Sequence, residues 1–498
     1  MKRLVRFAAA LTAVLSLTAC AAEVGTGAVT SETPPGVVTS EPLPGVTTEH
    51  EEEEDPIMLD KDIIKSTITS TDDGNGNYTN PVIFADVPDI DIIRVDDAFY
   101  MVSTTMHLSP GCPVMRSYDL VNWEIVNYVF DTLEDMDNLA LRNGENNYGK
   151  GQWATTLRYN DGVYYAGFTS FSTGRTYIYH TDDIENGKWD RFVYDECFHD
   201  MSLLFDDDGR VYIYCGYQGS YMCELKDNMY EAVPGSYKLD IIPTAEPHRF
   251  FEACSPRKIN GTYYLIYSPQ RGSCLDYATS DSPTGPFTYR GTIIDNGIDF
   301  PGGNDHGSVC CVNGQWYIFY HRMTNGTIMS RRGCVERIEI LPDGTIPQVE
   351  MTSLGFEESL NPYDFTQADT ACVLKGGCYI TETSVFERPI VNVTDGCVMG
   401  WKYFDFGEDF ASKTMQIRLK LRGTGSRGRV HVRLDSEDGE ELGTVDFAED
   451  SGTAGARIKA VTGRHAVFLV AESGYEGWFA GEMKGRQLFM LDGFVIMK

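Results

Sequence analysis

The chain has 498 residues, 42% of them hydrophobic and 12% aromatic, and a formal net charge of −32 at pH 7. That length exceeds one ordinary domain, and that apolar content can bury a large core, so at least two folded units are expected. The acidic balance disfavours nucleic acid and anionic lipid as partners and suits a protein acting on a neutral polymer.

Lys2, Arg3 and Arg6 precede the apolar run from Phe7 to Leu17, which ends in Leu17-Thr18-Ala19-Cys20. This is the pattern of a secretory signal, too short to span a membrane. Its end resembles a bacterial lipobox. Residues 1–20 therefore read as a lipoprotein signal peptide, with Cys20 lipid-modified and the protein held outside the cell on the bacterial membrane. An ordinary cleavage site with an incidental Cys20 is the alternative. Residues 21–73 are rich in Thr, Pro, Gly, Val and Glu, and include the run Glu49-His50-Glu51-Glu52-Glu53-Glu54-Asp55. With little apolar surface to offset ordering entropy, they read as a disordered acidic tether.

Residues 74–352 carry a recurring unit. A turn of the Asp-Gly or Asn-Gly kind, or a near variant, runs straight into an aromatic strand five times: Asp97-Ala98-Phe99-Tyr100, Asp161-Gly162-Val163-Tyr164-Tyr165, Asp208-Gly209-Arg210-Val211-Tyr212, Asn260-Gly261-Thr262-Tyr263-Tyr264 and Asn313-Gly314-Gln315-Trp316-Tyr317. Such turns supply the positive φ of a tight hairpin, and aromatic and β-branched residues suit a half-buried strand. Hairpins recurring every ~50 residues predict an all-β, five-bladed propeller, which gathers loops from every blade around one mouth. Polar turns ahead of an aromatic predict outer blade strands, as in Ser117-Tyr118-Asp119-Leu120-Val121-Asn122-Trp123, Thr181-Asp182-Asp183 through Trp189, and Thr279-Ser280-Asp281 through Phe287. Residues 360–498 alternate apolar and charged residues, as in Thr414-Met415-Gln416-Ile417-Arg418-Leu419-Lys420-Leu421. A period of two predicts antiparallel sheet with one wet face, and the length fits a β-sandwich of the jelly-roll kind.

Of the 13 cysteines, those after Cys20 show no Cys-x-x-Cys pairing of a zinc site. Several fall in strand-like runs, so free buried cysteine is the expected state, with a Cys372–Cys378 disulfide as the alternative.

Three acids stand ahead of hairpins, at places that are not equivalent by motif: Asp89 before the first, Asp200 before the third and Glu252 before the fourth. Each is expected at the start of an inner strand, facing the mouth. Glycosidic cleavage needs one carboxyl to protonate the departing oxygen and one carboxylate to activate water or attack. A third nearby carboxylate can raise the acid's pKa. Asp206-Asp207-Asp208 reads instead as a solvated turn. Trp153 is a candidate to wall a sugar pocket, with a blade-core tryptophan as the alternative. Arg331 is a candidate donor to sugar hydroxyls, with Arg332 competing, and His107 is a candidate for the mouth.

The order of several motifs is similar to that of family 43 glycoside hydrolases. They are Asn80-Pro81-Val82-Ile83, Pro88-Asp89-Ile90-Asp91-Ile92-Ile93-Arg94-Val95, Met101-Val102-Ser103-Thr104-Thr105-Met106-His107, Gly151-Gln152-Trp153-Ala154, His199-Asp200-Met201-Ser202-Leu203-Leu204-Phe205, Glu252-Ala253-Cys254-Ser255-Pro256 and Asn304-Asp305-His306-Gly307-Ser308. The resemblance spans about residues 80–350. It implies a five-bladed propeller acting on arabinose- and xylose-containing glycans with inversion. It assigns Asp89 as general base, Asp200 as pKa modulator and Glu252 as general acid. His306 resembles the family's central histidine, which contacts a cation or water, so a metal at His306 is an open option. The chain departs from the family at Ile90, where Pro is common, and at Ala253-Cys254-Ser255, where Gly-Pro-His is frequent; both changes spare the carboxylates. The stretches Gly396-Cys397-Val398-Met399-Gly400-Trp401 and Thr462-Gly463-Arg464-His465-Ala466 resemble family 6 carbohydrate-binding modules. That implies a sandwich with aromatic platforms and a structural calcium ion. Tyr475 and Trp478 are the candidate platform, and Trp401 reads as core. A sandwich that only braces the propeller is the alternative.

The combined expectation is a surface-anchored hydrolase, without a cofactor for its chemistry, releasing arabinose or xylose from plant cell-wall polysaccharide such as arabinoxylan, xylo-oligosaccharides or arabinan. An endo-arabinanase and a non-catalytic glycan-binding lipoprotein are the competing readings. Nucleic acid is excluded as a partner, and the membrane enters only through the lipid anchor.

Overall fold

All five turns close antiparallel hairpins: Val95 pairs with Ala98, Asn160 with Val163, Phe205 with Val211, Ile259 with Thr262 and Val312 with Gln315. The computed structural model describes residues 70, 78–105, 110–295, 306–325, 327, 330–384 and 387–498. The signal segment with Cys20, the tether and His107 lie outside the described residues.

Each hairpin forms the inner half of an antiparallel sheet. The first sheet comprises Asp91–Val95, Ala98–Val102, Gly111–Ser117 and Glu124–Phe130; the second, Thr156–Asn160, Val163–Ser170, Arg175–Thr181 and Asp190–Tyr194. The third comprises Ser202–Phe205, Val211–Gly216, Ser220–Leu225 and Lys238–Leu239; the fourth, Phe250–Ile259, Thr262–Pro269, Cys274–Ser280 and Thr288–Asp295. The fifth has Gly307–Val312, Gln315–Met323 and Arg331–Ile338. The first strands of successive sheets pack side by side, and the fifth returns to the first, so these are the five blades of a propeller around one axis. The polar turns ending in Trp123, Trp189 and Phe287 join third to fourth strands. Trp123 and Phe287 are buried beneath them.

The ring is closed by the segment that precedes its first strand. Ile83 bridges Gly333 on the outer strand of blade five, with Ile83 N–H donating to Gly333 O (3.2 Å) and Gly333 N–H to Ile83 O (3.0 Å). Closure covers an edge that would otherwise expose unpaired backbone. Asn80 locks it: its buried amide donates to Val335 O (2.7 Å) and Glu336 Oε1 (3.0 Å), and its oxygen accepts Val335 N–H (2.9 Å). Glu336 also takes Tyr320 OH (3.0 Å), Thr352 N–H (2.8 Å) and Arg322 Nη2 (3.2 Å). Burial lifts its carboxyl to about 7 against those partners.

Residues from Thr366 onward form two facing sheets, one of six strands and one of five, which is a β-sandwich. Thr414–Gly423 alternates buried and exposed residues along its length, as its sequence predicts. Trp401 is fully buried in this core. One apolar cluster runs from blades four and five, through Tyr277, Ile318 and Ile346, into Met399, Trp401 and Phe404 of the sandwich. The seam carries backbone hydrogen bonds from Ser353 N–H to Lys402 O (2.8 Å) and from Ile380 N–H to Thr324 O (2.9 Å).

Two expectations are corrected. Cys372 and Cys378 are not joined: both are free, Cys372 Sγ donating to Gly400 O (3.6 Å) and Cys378 Sγ to Lys375 O (3.4 Å), because they enter different strand pairings. The sandwich platform is also differently composed. Trp478, 80% exposed, stacks on Phe479 with centroids 4.2 Å apart, while Tyr475 takes the Arg427 guanidinium over its ring.

Candidate active site

Five blades built on the same hairpin place equivalent residues around the axis. Counting six residues back from the last residue before each turn gives Asp89, Ala154, Asp200, Ala253 and His306. Strand alternation points these side chains, and those two residues later (Asp91, Thr156, Ser202, Ser255, Ser308), toward the axis. A small cavity of about 30 Å³ is lined by these positions from all five blades. Asp89 and Asp200 are therefore equivalent by structure, contrary to the reading of their motifs, and Glu252 stands one residue ahead of its blade's equivalent. Blade four shows why: its inner strand is irregular on both sides of Glu252, between Phe250 and Glu252 and again between Glu252 and Ser255. The extra residue re-aims a side chain, as bulges do beside active sites. Asp89 (φ 57°), Asp200 (φ 48°) and Ala253 (φ 70°) share the left-handed backbone, which non-glycine residues adopt at a cost.

Below the cavity the axis is charge-paired. Asp91 meets Arg158 at 2.5 Å and Arg257 at 2.8 Å, and Arg158 also donates to Ser202 Oγ (2.7 Å). These contacts tie blades one to four at the level that supports the acids.

Asp89 is buried and surrounded by donors. Arg331 Nη1 lies 3.2 Å from Oδ1, His306 Nε2 4.0 Å away, and the Thr104 hydroxyl donates to Oδ2. Thr104 Oγ1 in turn accepts Ala154 N–H (2.7 Å), which directs its proton at the carboxylate. Burial alone would raise the Asp89 pKa, but the His306 and Arg331 charges and the Thr104 hydrogen bond hold it well below the usual carboxylate range. His321 accepts the Asp89 N–H at Nδ1 (3.3 Å); burial, with Arg331 adding to it, pulls its pKa down to about 3, so it is a neutral support. Asp89 is thus an ionised carboxylate across the working pH range.

The other side is built differently. His306 Nε2 lies 3.0 Å from Asp200 Oδ2. Burial opposes its charge, yet Asp89 and Asp200 lift its pKa to about 10, making it the cation between two carboxylates. His199 Nε2 lies 3.0 Å from Glu252 Oε2 and 3.4 Å from Asp200 Oδ2. Its pKa is raised against burial by its hydrogen bond to Glu252 and by the Asp200 charge. Glu252 has no guanidinium or ammonium partner among the described residues, in contrast to Asp89.

The three acids, His306 and Arg331 thus converge, and Arg332 leaves the site to pair with Glu382 of the sandwich. Trp153 is half-buried and packs on Phe171 at 5.1 Å. Sequence reasoning missed Thr104, His199 and His321. The first two stood inside quoted motifs, adjacent to a candidate or on its neighbouring strand; His321, reached 232 residues from Asp89, carried no local signal.

A calcium ion at His306 does not fit this arrangement. Calcium takes six to eight oxygen ligands, whereas Nε2 of His306 is committed to two carboxylates. His199, Asp200 and Glu252 bring one ligand atom each within 4.8 Å of one another. That is three donors, of which two already bond each other.

Residues 78–346 match the model of Glycosyl hydrolases family 43. The chain is similar to a "Xylosidase/arabinosidase" of Thermoclostridium stercorarium, 40% identical over 260 residues, which covers 45% of this chain and 54% of that protein. It is also similar to an "Arabinoxylan arabinofuranohydrolase" of Paenibacillus polymyxa, 29% identical over 307 residues, covering 54% of this chain and 48% of that protein. The chain spans about half the length of these curated relatives. A crystal structure of a glycoside hydrolase family 43 arabinoxylan arabinofuranohydrolase from Bacillus subtilis, in complex with cellotetraose, aligns at 21% identity with a TM-score of 0.46, covering 87% of this chain and 99% of that one.

Proposed function

The chain belongs to glycosyl hydrolase family 43, and from that premise we propose that it releases arabinose or xylose from arabinoxylan and related plant glycans by single-displacement, inverting hydrolysis. The observation that carries this reading is the unequal treatment of two carboxyls facing one cavity. Asp89 is held ionised by Arg331, His306 and Thr104, which suits a base that draws a proton from water. Glu252 is held by a histidine at 3.0 Å and no permanent cation among the described residues, which suits an acid that must carry a proton at the start of the cycle.

In this mechanism the sugar to be released sits above the axial cavity. Asp89 removes a proton from water as the water oxygen attacks the anomeric carbon. Glu252 gives its proton to the glycosidic oxygen as the bond to the leaving group breaks. Asp200, equivalent to Asp89 on the opposite side of His306, adds negative charge near Glu252 and opposes its ionisation. His306 screens Asp89 from Asp200, so the modulator acts on the acid without raising the base. Every step uses carboxyls and water, and none passes through a metal.

The relatives' names support a substrate class of xylose- and arabinose-bearing glycans. The signal-like start, the Leu17-Thr18-Ala19-Cys20 pattern and the acidic tether support attachment to the outer face of the membrane through Cys20.

Nitrophenyl α-L-arabinofuranoside and β-D-xyloside test the chemistry. At least one is turned over by the wild type, and Asp89→Asn and Glu252→Gln each lower kcat by about 10²–10⁴-fold. Absence of turnover of both, or unimpaired variants, would refute the assignment. Replacing His306 by Gln removes the cation beside Asp89, which favours its protonated form. The acidic limb of the kcat/KM profile is then expected to move up by about 1–2 pH units; an unmoved limb would exclude His306 as the group that holds Asp89 ionised. Cys20→Ser should abolish labelling by radioactive palmitate in the native host, and persistent labelling would overturn the anchor.

A further inference from the structure

Around the candidate site the rim is unequal. On the side of blades two to four, aromatic rings follow one another from the second blade to the acid. Trp153 packs on Phe171 (5.1 Å between centroids), Phe171 on the His199 ring (5.1 Å), His199 on Tyr217 (5.1 Å), and Tyr217 on Phe251 (5.0 Å), the residue before Glu252. Phe171 and Tyr217 occupy the same place on their blades, one residue beyond the second strand, Val163–Ser170 in one and Val211–Gly216 in the other. Each is about half exposed, at 49% and 52%. Single exposed apolar residues are ordinary, but a connected row of them beside a polar cluster marks a binding surface.

Its position says which part of a ligand it would meet. The general acid protonates the oxygen that joins the released sugar to the rest of the glycan, so the leaving group lies on the acid's side of the scissile bond. The base and its water lie on the opposite face. Glu252 and His199 belong to blades four and three. Asp89 and its supports Thr104, Arg331 and His321 belong to blades one and five.

We infer that Phe171 and Tyr217, backed by Trp153 and Phe251, form a subsite for the leaving group, stacking on the pyranose units of a glycan chain beyond the scissile bond. The apolar C–H face of a pyranose covers a ring face as another apolar surface does, while its equatorial hydroxyls remain in water. A half-exposed Phe or Tyr can give such a face without further desolvation of charged groups. The row is continuous with the carboxyl cluster through the His199 ring, so a chain seated on it delivers its linkage to Glu252. This makes a polymer or long oligosaccharide the preferred substrate, rather than a glycoside with a small leaving group. The inference rests on the proposed role of Glu252 as the acid.

The test compares kcat/KM for long and short leaving groups. The short substrates are methyl β-D-xyloside and methyl α-L-arabinofuranoside; the long ones are xylopentaose and arabinosyl-xylopentaose. In Phe171→Ala and Tyr217→Ala the long-to-short ratio is expected to fall about tenfold. Phe171→Tyr, which keeps an aromatic face, is expected to retain it. A ratio unchanged in both alanine variants, or lost equally in Phe171→Tyr, overturns the subsite while leaving the hydrolase reading intact. A wild type that cleaves none of the four substrates overturns the hydrolase reading itself, and the subsite with it. Unaltered thermal midpoints of the variants would exclude misfolding as the cause of a fall.

Discussion

Closure of the ring through Asn80 is the constraint on which the candidate site depends. Asp89 is borne on the segment that Asn80 and Ile83 pin to blade five, and only that pinning sets it beside Arg331 and His321 of the same blade. The clasp is a fully engaged polar cluster, with Asn80, Glu336, Tyr320 and Thr352 each satisfied by partners far along the chain. Removing one member would leave buried donors and acceptors without partners, which costs about 1–3 kcal/mol each. The sandwich lies against the same clasp: Thr352 and Ser353 form the start of the seam between the two modules. The same residues thus close the propeller, position the base and join the second module.

Around the axis, repetition and its breaking share the work. Five equivalent positions converge because five hairpins are equivalent, and two of them are alanine, which leaves space. The remaining three carry two carboxylates and a cation, with His306 between Asp89 and Asp200. Two carboxylates alone in so small a space would drive each other's protonation. The imidazolium removes that coupling, so one side can stay ionised while negative charge is kept for the other. Blade four departs from the repeat by a bulge, and the departure puts Glu252, rather than Ala253, at the acid's place.

Much of this was legible in the sequence. The hairpins were, because turn chemistry is local and was written five times. The period-two strand Thr414–Gly423 was legible for the same reason. Asp89, Asp200 and Glu252 could be named because each precedes a recognisable hairpin. What the sequence hid is what depends on summing the geometry of several blades. His321 reaches Asp89 across the closure, Arg331 and Arg332 are neighbours with opposite destinations, and a one-residue bulge made Asp200 and Glu252 look alike when Asp89 and Asp200 are the true equivalents. Cys372 and Cys378 are close in sequence, yet the sheet sends them to different partners. The aromatic arc was invisible because Phe171, Tyr217 and Phe251 come from three blades and share no motif.

The central claim is that Asp89 activates a water on the face opposite Glu252. The anomeric configuration of the first sugar released, followed by proton NMR before mutarotation, tests it most directly. The account predicts inversion: α-D-xylose from a β-D-xyloside, or β-L-arabinose from an α-L-arabinofuranoside. Retention would mean a covalent glycosyl-enzyme intermediate, and would contradict the assignment of Asp89 as a base acting through water.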